Sequence, residues 1–301
     1  MAHYLLTGGT GLIGRALCQD LISDNHQVTV LSRQPENVIK LCGDKVEAVA
    51  SLTAINEKIH FDAVINLAGT PIADRHWTNK RKTLLEQSRI GMTSKVVSWI
   101  KQRDLKPTCL ISGSAVGWYG NGGEQYLTEE SNFHDEYTHQ LCDAWEKQAL
   151  QIQDIGVRVC IVRTGLVLST EGGFLTKMLL PFKMGLGGQL GNGQQYMSWI
   201  HINDMVKLLK FLIANQDAKG IINACSPSPV TNKTFSQALA KQLNRPAFLP
   251  VPAWFLKLVL AEMSQLLLHG QRALPKKAQA LGFKFDYTEL STALADVLST
   301  Q

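Results

Sequence analysis

The chain opens with a glycine-rich segment of a type that binds phosphate groups. A short apolar run leads into Thr7–Gly14, with the sequence TGGTGLIG, and a helical pattern follows over residues 16–22. A strand, a glycine turn and a helix in this order present backbone amides and the positive end of a helix dipole to a dinucleotide pyrophosphate. We expect Gly8 to allow the tight turn, Gly11 to let phosphate approach, and Gly14 to let the helix pack closely. The predicted cofactor contacts here are Gly8, Thr10, Gly11, Leu12, Ile13 and Gly14.

The end of the second predicted strand indicates which dinucleotide is bound. Strand 26–31 ends at Ser32 and Arg33, where a site that prefers NAD usually carries an acidic residue for the ribose hydroxyls. A guanidinium and a hydroxyl instead favour charge-assisted bonds to a 2′-phosphate. We therefore predict NADP(H) as the cofactor, with Ser32 and Arg33 as contacts. The alternative is an exposed arginine that ends the strand and contributes only to the solubility of the protein.

These residues need elements to position them, and the pattern predicts an α/β fold. Further strands are expected over 61–67, 107–112 and 157–162, with helical patterns over 77–102 and 134–154. Alternation of this kind indicates a doubly wound parallel Rossmann sheet, with the ligand over the carboxyl ends of its strands.

The second half of the chain has a different pattern. Helices are expected over 203–215, 231–243 and 254–268, with a strand at 221–224. We predict a Rossmann domain over 1–165, to which part of 195–230 returns, and a smaller α/β substrate-binding part over 166–301. Within this second part, Pro181–Gly193 is predicted to be a loop whose five glycines suit a mobile lid.

Composition excludes several classes of protein. The 301 residues are 45% apolar with a net charge of +5, and the basic residues are scattered, so we expect no nucleic-acid partner. The six cysteines show no C-x-x-C spacing and several lie in apolar runs, which is typical of buried thiols in a reducing compartment. The most apolar stretch, 254–268, is too short and too charged to span a bilayer. We expect a cytoplasmic protein without a membrane partner.

Three segments form a distinctive combination: Thr7–Gly14, Asn66–Gly69 and Ser112–Gly120 (SGSAVGWYG). Together they resemble the extended short-chain dehydrogenase/reductase superfamily. Further motifs are Asn66–Asp74 (NLAGTPIAD), Arg75–Thr78 (RHWT), Ser88–Ile90, Asp143–Glu146 (DAWE), Leu180–Gly188 (LPFKMGLGG), Ser198–Asp204 (SWIHIND), Arg272–Pro275 and Leu281–Phe285. Within that superfamily these resemble the atypical epimerase family proteins of the bacterial YfcH type. The resemblance covers nearly the whole chain, and it implies a Rossmann fold, NADP(H) binding and a nominal epimerase or oxidoreductase activity.

The resemblance also implies an active site, which this chain completes only in part. Superfamily chemistry uses a serine, a tyrosine that exchanges the proton, and a lysine four residues after the tyrosine. Ser114 fits the serine position, although a turn-capping serine is the alternative. No tyrosine is followed by lysine at that spacing. If Glu146 is matched to the glutamate that usually follows in this helix of the superfamily, the two positions fall on Thr138 and Cys142, and Tyr137 is rotated away by one residue. Tyr119, nearest to Ser114, is the predicted replacement; otherwise no rapid turnover occurs.

Further cofactor contacts are expected from the segment after the strand 61–67. Leu67, Ala68 and Gly69 follow its end, and the resemblance implies that Arg89 reaches the cofactor from the next helix. His201 and Asp204 have no further ligands at metal-binding spacing, so we expect no metal site.

Two functions remain open at this point. The first is an NADP(H)-dependent oxidoreductase or epimerase acting on a small hydroxyl- or carbonyl-bearing substrate. The second is an NADP(H)-binding sensor or regulatory protein that has lost the chemistry. The sequence carries no signal for the identity of the substrate or for the oligomeric state.

Overall fold

Strands and helices alternate along the chain in a computed structural model that describes residues 1–299. Within these residues the strands are β1 (His3–Thr7), β2 (Gln27–Leu31), β3 (Glu47–Val49), β4 (Ala63–Asn66), β5 (Cys109–Ala115), β6 (Tyr126–Leu127), β7 (Arg158–Thr164), β8 (Leu166–Leu168), β9 (Tyr196–Met197), β10 (Trp199–His201), β11 (Gly220–Ala224), β12 (Val230–Thr231) and β13 (Arg272–Ala273). The α-helices are α1 (Leu12–Ser23), α2 (Pro35–Cys42), α3 (Asn79–Glu86), α4 (Met92–Gln102), α5 (Tyr137–Leu150), α6 (Gly173–Lys183), α7 (Ile202–Ala214), α8 (Asn232–Gln242), α9 (Ala253–Leu260), α10 (Gln265–Leu268), α11 (Lys276–Ala280) and α12 (Leu290–Ser299).

Seven of the strands form one parallel sheet in the order β3-β2-β1-β4-β5-β7-β11. The strand order reverses between β1 and β4, which creates a crevice at their carboxyl ends where ligands bind in such sheets. The register brings Thr7 beside Asn66, and Asn66 beside Ser112, at this edge. The predicted α/β fold with a parallel Rossmann sheet is confirmed.

Apolar side chains bury both faces of the sheet. Helices α1 and α7 cover one face, through residues such as Leu17 and Leu208, and α4 and α5 cover the other, through Ile100 and Ala149. Parallel strands covered on both faces must be apolar throughout, which explains why the strand segments read as continuous apolar runs. A third apolar core joins α6, α8 and α12 in the second half of the chain.

The second half of the chain returns to the first in two places. Strand β11 forms the edge of the main sheet beside β7, and Ala278 of α11 is buried against the same core. Strand β13 also pairs with β6. Residues from the C-terminal part are thereby brought to the carboxyl edge of the sheet, while the domain boundary at residue 165 stays a prediction.

The segment expected to be a loop over Pro181–Gly193 begins later than predicted. Helix α6 continues through Pro181 to Lys183. A Cβ on Gly188 would lie 1.9 Å from the carbonyl oxygen of Leu249, so glycine here lets two backbone segments meet. The amide of Gly191 then donates to the carbonyl of Val251 at 2.8 Å. The structure therefore gives these glycines a packing role that the sequence did not indicate.

The helix expected over 254–268 is also interrupted. Ala261 adopts a φ of 48°, which ends α9, and a short 3₁₀ turn precedes α10. None of the helices within residues 1–299 is long and apolar enough to cross a membrane.

Candidate functional site

The glycine turn after β1 has the backbone geometry of a phosphate cradle. Gly8 has a φ of 70°, and a Cβ there would lie 2.6 Å from the backbone of Leu67. A Cβ on Gly14 would lie 2.3 Å from the carbonyl oxygen of Gly8. Side chains at Gly8 and Gly14 would thus push β1, β4 and α1 apart. A Cβ built on Gly11 would have only one near neighbour, the Gly8 carbonyl oxygen at 3.2 Å, so the outer side of Gly11 is open.

The start of α1 is suited to an anion. Gly11 is its N-cap, and within the described chain no side chain caps the helix and no acidic residue stands in its first turn. Amides such as those of Leu12 and Ile13 have no partner within the helix, and the dipole places partial positive charge at this end. The residues present therefore fit a dinucleotide pyrophosphate, as the sequence predicts for this segment.

Ser32 and Arg33 follow β2, beside the same crevice. The Ser32 hydroxyl accepts the amide of Gln34 at 3.1 Å, which holds the turn. The guanidinium of Arg33 is exposed and has no ion-pair or hydrogen-bond partner among residues 1–299. An unpaired arginine at this position is free to bind a 2′-phosphate.

The end of β4 is tied to β1 by a chain of buried hydrogen bonds. The Thr7 hydroxyl donates to Oδ1 of Asn66 at 2.6 Å and accepts the Ala68 amide at 3.2 Å. Asn66 in turn donates to the hydroxyl of Thr93 at 2.8 Å, which also accepts the indole N–H of Trp145 at 2.8 Å. These bonds fix the floor of the crevice from four different elements.

Arg89, which the resemblance implies as a cofactor contact, lies beside Gly69. A π-helical turn joins α3 to α4, and from it the guanidinium reaches Gly69, whose Cβ would lie 3.2 Å from Cζ of Arg89. The indole ring of Trp145 is 5.5 Å from the same atom. Burial lowers the pKa of Arg89. The contact with Gly69 places the positive charge beside the segment Leu67–Gly69, where a cofactor phosphate or ribose would pass.

Ser114 lies at the end of β5, but its hydroxyl has an unexpected partner. It donates to Oε1 of Glu146 at 2.6 Å. Both carboxylate oxygens of Glu146 also accept from Arg163, at 2.9 and 2.8 Å, and the two charged side chains are 5% and 0% exposed. The guanidinium stacks on the Trp118 ring at 3.5 Å. The sequence analysis missed this ion pair, and the predicted catalytic role of Ser114 stays a prediction.

The structure does not support Tyr119 as the proton donor. Its side chain is fully buried and its hydroxyl donates to Oδ1 of Asn223 at 2.8 Å. Burial raises the pKa of Tyr119 to about 12. The 3₁₀ turn after β5 directs the phenol into the core, and nearness in sequence to Ser114 could not reveal that direction.

Thr138 and Cys142, the positions predicted for the superfamily tyrosine and lysine, lie on α5. Thr138 faces Gly117: a Cβ built on Gly117 would lie 3.3 Å from the Cβ of Thr138. The neighbouring Tyr137 packs on Trp77, with 4.9 Å between the two ring centroids. Cys142 is buried beside Ser114 and Arg89, and burial raises its pKa to about 11. The expected rotation of Tyr137 away from Thr138 agrees with these contacts.

A cavity of about 170 Å³ opens beyond the ends of β5 and β7. Its wall includes Gly117, Thr138 and Gly165 from the first half of the chain. The C-terminal part contributes His269, and Nδ1 of this histidine lies 2.9 Å from Oε1 of Glu136 on the same wall. Sequence reasoning missed both residues, because no motif surrounds either one.

The two other polar residues weighed as metal ligands have structural roles. His201 caps α7 by accepting the Asn203 amide at 3.1 Å. Asp204 accepts the amides of Asp286 and Tyr287 at 2.9 and 3.0 Å. Among residues 1–299, no three histidine, cysteine or acidic side chains converge as a metal site would require.

The sheet, the glycine turn and the uncapped helix end define a protein of the dinucleotide-binding, extended short-chain dehydrogenase/reductase class. Comparison with known sequences then gives the family. The chain belongs to the NAD dependent epimerase/dehydratase family, whose model matches residues 4–225, and residues 251–297 match a domain of unknown function, DUF1731.

Similar proteins span the whole chain. The epimerase family protein YfhF of Bacillus subtilis is 38% identical over 99% of this chain and 98% of its own length. The chloroplastic epimerase family protein SDR39U1 homolog of Arabidopsis thaliana is 39% identical over 97% of this chain and 86% of its own. The crystal structure of human epimerase family protein SDR39U1 with NADPH superposes with a TM-score of 0.91 at 31% identity, covering 99% of this chain and all of that one.

Proposed function

We propose that the protein binds NADP(H) and transfers a hydride between this cofactor and a small hydroxyl- or carbonyl-bearing substrate. One observation carries the proposal: the uncapped start of α1 and the exposed Arg33 lie at the carboxyl ends of the neighbouring parallel strands β1 and β2. The NADPH reported for the similar human protein supports the cofactor. NADP(H), when bound, supplies or accepts the hydride.

The cavity beyond β5 and β7 supports a small substrate. Its volume of about 170 Å³ is below the roughly 300–1,000 Å³ of sites for drug-sized ligands. Its wall mixes apolar residues such as Leu166 with hydrogen-bonding ones such as Thr138 and Ser198. Such a lining binds a compact molecule with one or two oxygen functions.

The cofactor proposal is tested by replacing Arg33. A charge-assisted contact to the 2′-phosphate contributes about 1.5–3 kcal/mol, which is about 10- to 150-fold in affinity. Calorimetry should therefore show tighter binding of NADPH than NADH, and Arg33→Ala should remove most of that difference while NADH affinity is kept. Arg245→Ala, at an exposed arginine after α8, is the matched control. Equal affinities of the wild-type protein for the two cofactors would reject the assignment.

A second candidate function has its own observation. Thr138 and Cys142 occupy the positions of the superfamily tyrosine and lysine, and Cys142 is buried. A protein with this substitution could bind NADP(H) as a sensor without turnover. Tight NADPH binding with no oxidation of NADPH by any small carbonyl compound would favour this candidate.

A further inference from the structure

The cavity holds an ionisable pair that the glycine turn and Ser114 do not account for. Nδ1 of His269 lies 2.9 Å from Oε1 of Glu136, and the two side chains are 30% and 16% exposed. Both line the cavity, and Nδ1 of His269 makes no aligned hydrogen bond among residues 1–299, so its contact with Glu136 is an electrostatic one. The pair is thus partly shielded from solvent and open to whatever fills the cavity.

The backbone holds His269 firmly in this position. Its amide donates to the carbonyl of Gln265 at 3.0 Å. The next residue, Gly270, approaches Tyr196 so closely that a Cβ would lie 2.4 Å from the Tyr196 amide nitrogen. The amide of Gly122 donates to the carbonyl of Gly270 at 3.0 Å. These contacts fix the backbone from which the imidazole projects, which is the preorganisation that an acid–base group requires.

Glu136 approaches the same point from the first half of the chain. It is the N-cap residue of α5, and Thr138, at the tyrosine position of the superfamily, lies two residues further on and lines the same cavity. The pair therefore stands beside the place where related chemistry needs a proton donor.

We propose that His269 is the catalytic acid–base residue of this hydride transfer and that Glu136 is its positioning residue. In the oxidising direction, the substrate hydroxyl gives its proton to Nε2 of His269. The C–H bond on the same carbon gives its hydride to oxidised NADP, a C=O bond forms, and the histidine becomes cationic. In the reducing direction, the carbonyl carbon takes the hydride from NADPH, and the cationic histidine returns its proton to the carbonyl oxygen. This inference rests on the proposed function.

The carboxylate explains why the histidine is oriented for this step. A carboxylate oxygen 2.9 Å from Nδ1 repels a lone pair on that nitrogen and attracts an N–H, so Glu136 favours the tautomer with the proton on Nδ1 and leaves the Nε2 lone pair to take a proton. Serine hydrolases use a carboxylate in the same way to select a histidine tautomer.

Other proton donors are less well placed. The Tyr119 hydroxyl is committed to Asn223 in the core, and the Ser114 hydroxyl to Glu146. Tyr196 also lines the cavity, with the guanidinium of Arg272 4.4 Å from its ring. Histidine can accept a proton on one ring nitrogen while the other keeps its own, which suits proton exchange in both directions.

The experiment compares four variants with the wild-type protein. NADPH formation and consumption are followed by absorbance on a panel of small alcohols, hydroxy acids, aldehydes, ketones and free sugars. His269→Gln should lower kcat by about 100- to 10,000-fold, with NADPH affinity unchanged in calorimetry. Glu136→Gln should lower kcat by about tenfold. His60→Gln, at an exposed histidine, is the matched control and should retain wild-type kcat. Tyr196→Phe removes the alternative proton donor of the same cavity and should lower kcat far less than His269→Gln does.

A second readout does not depend on turnover. In ¹⁵N-histidine NMR spectra, the signal lost in His269→Gln identifies His269 and should show a proton on Nδ1. Glu136→Gln should move part of the population to the other tautomer, because an amide can also donate to Nδ1. A purely structural contact would lower stability without a selective loss of kcat.

The outcomes separate this inference from the proposed function. Wild-type kcat in His269→Gln, or loss of kcat in Tyr196→Phe alone, would overturn the role of His269 while hydride transfer stands. An unchanged tautomer in Glu136→Gln would overturn the role of Glu136. No turnover of any panel member by a wild-type protein that binds NADPH would overturn hydride transfer itself, and the acid–base role with it.

Discussion

Replacing Glu146 by glutamine should destabilise the protein far more than a single surface charge change does. The change leaves Arg163, fully buried, without a charged partner, while the shape of the side chain is kept. Breaking a buried ion pair by neutralising one member typically costs about 3–5 kcal/mol. Glutamine retains one acceptor oxygen, so we expect a loss at the lower end of this range, about 3 kcal/mol in the free energy of unfolding. This corresponds to roughly a 100-fold change in the unfolding equilibrium constant.

The assay is urea unfolding followed by circular dichroism. Asp143→Asn is the matched control, because Asp143 forms an exposed pair with Lys147 on the same helix, with side chains 30% and 74% exposed. Its loss should cost less than about 1 kcal/mol. The double variant Glu146→Leu with Arg163→Met removes both charges and should recover most of the stability. A loss in Glu146→Gln no larger than that in Asp143→Asn would refute the reasoning.

Two further predictions concern Ser114 and His201. On any substrate found by screening, Ser114→Ala should lower kcat/KM at least about tenfold, which is roughly 1.4 kcal/mol of transition-state binding. Tyr137→Phe should change kcat/KM little. The reverse result would show that the assigned register of α5 is wrong. Burial lowers the pKa of His201 below its ordinary 6.5, although Asp296 acts in the opposite direction. The unfolded chain therefore binds more protons at this residue than the folded chain does. The stability of the fold should fall as the pH drops below about 6.5. His201→Asn keeps a capping acceptor and should flatten the change in unfolding free energy between about pH 7 and pH 5, and an unchanged slope would contradict the assignment.

The sequence was informative wherever function depends on consecutive residues. Thr7–Gly14 needs its glycines for local backbone reasons, and the structure shows both the positive φ at Gly8 and the close approach at Gly14. Arg33 follows its strand directly, so its location could be predicted from β2 alone. The alternation of apolar segments likewise determined the parallel sheet, because strands covered on both faces must be apolar along their whole length.

Only the tertiary structure decided which polar groups meet across the chain. Glu146 pairs with Arg163, and His269 approaches Glu136 from 133 residues away, with no local pattern marking either contact. The direction of the Tyr119 hydroxyl could not be predicted for the same reason, because it depends on the 3₁₀ turn and on a distant asparagine. Local sequence determines backbone geometry through short-range sterics and hydrogen bonding, whereas the partners of a side chain depend on how whole elements pack, and that is a property of the complete fold.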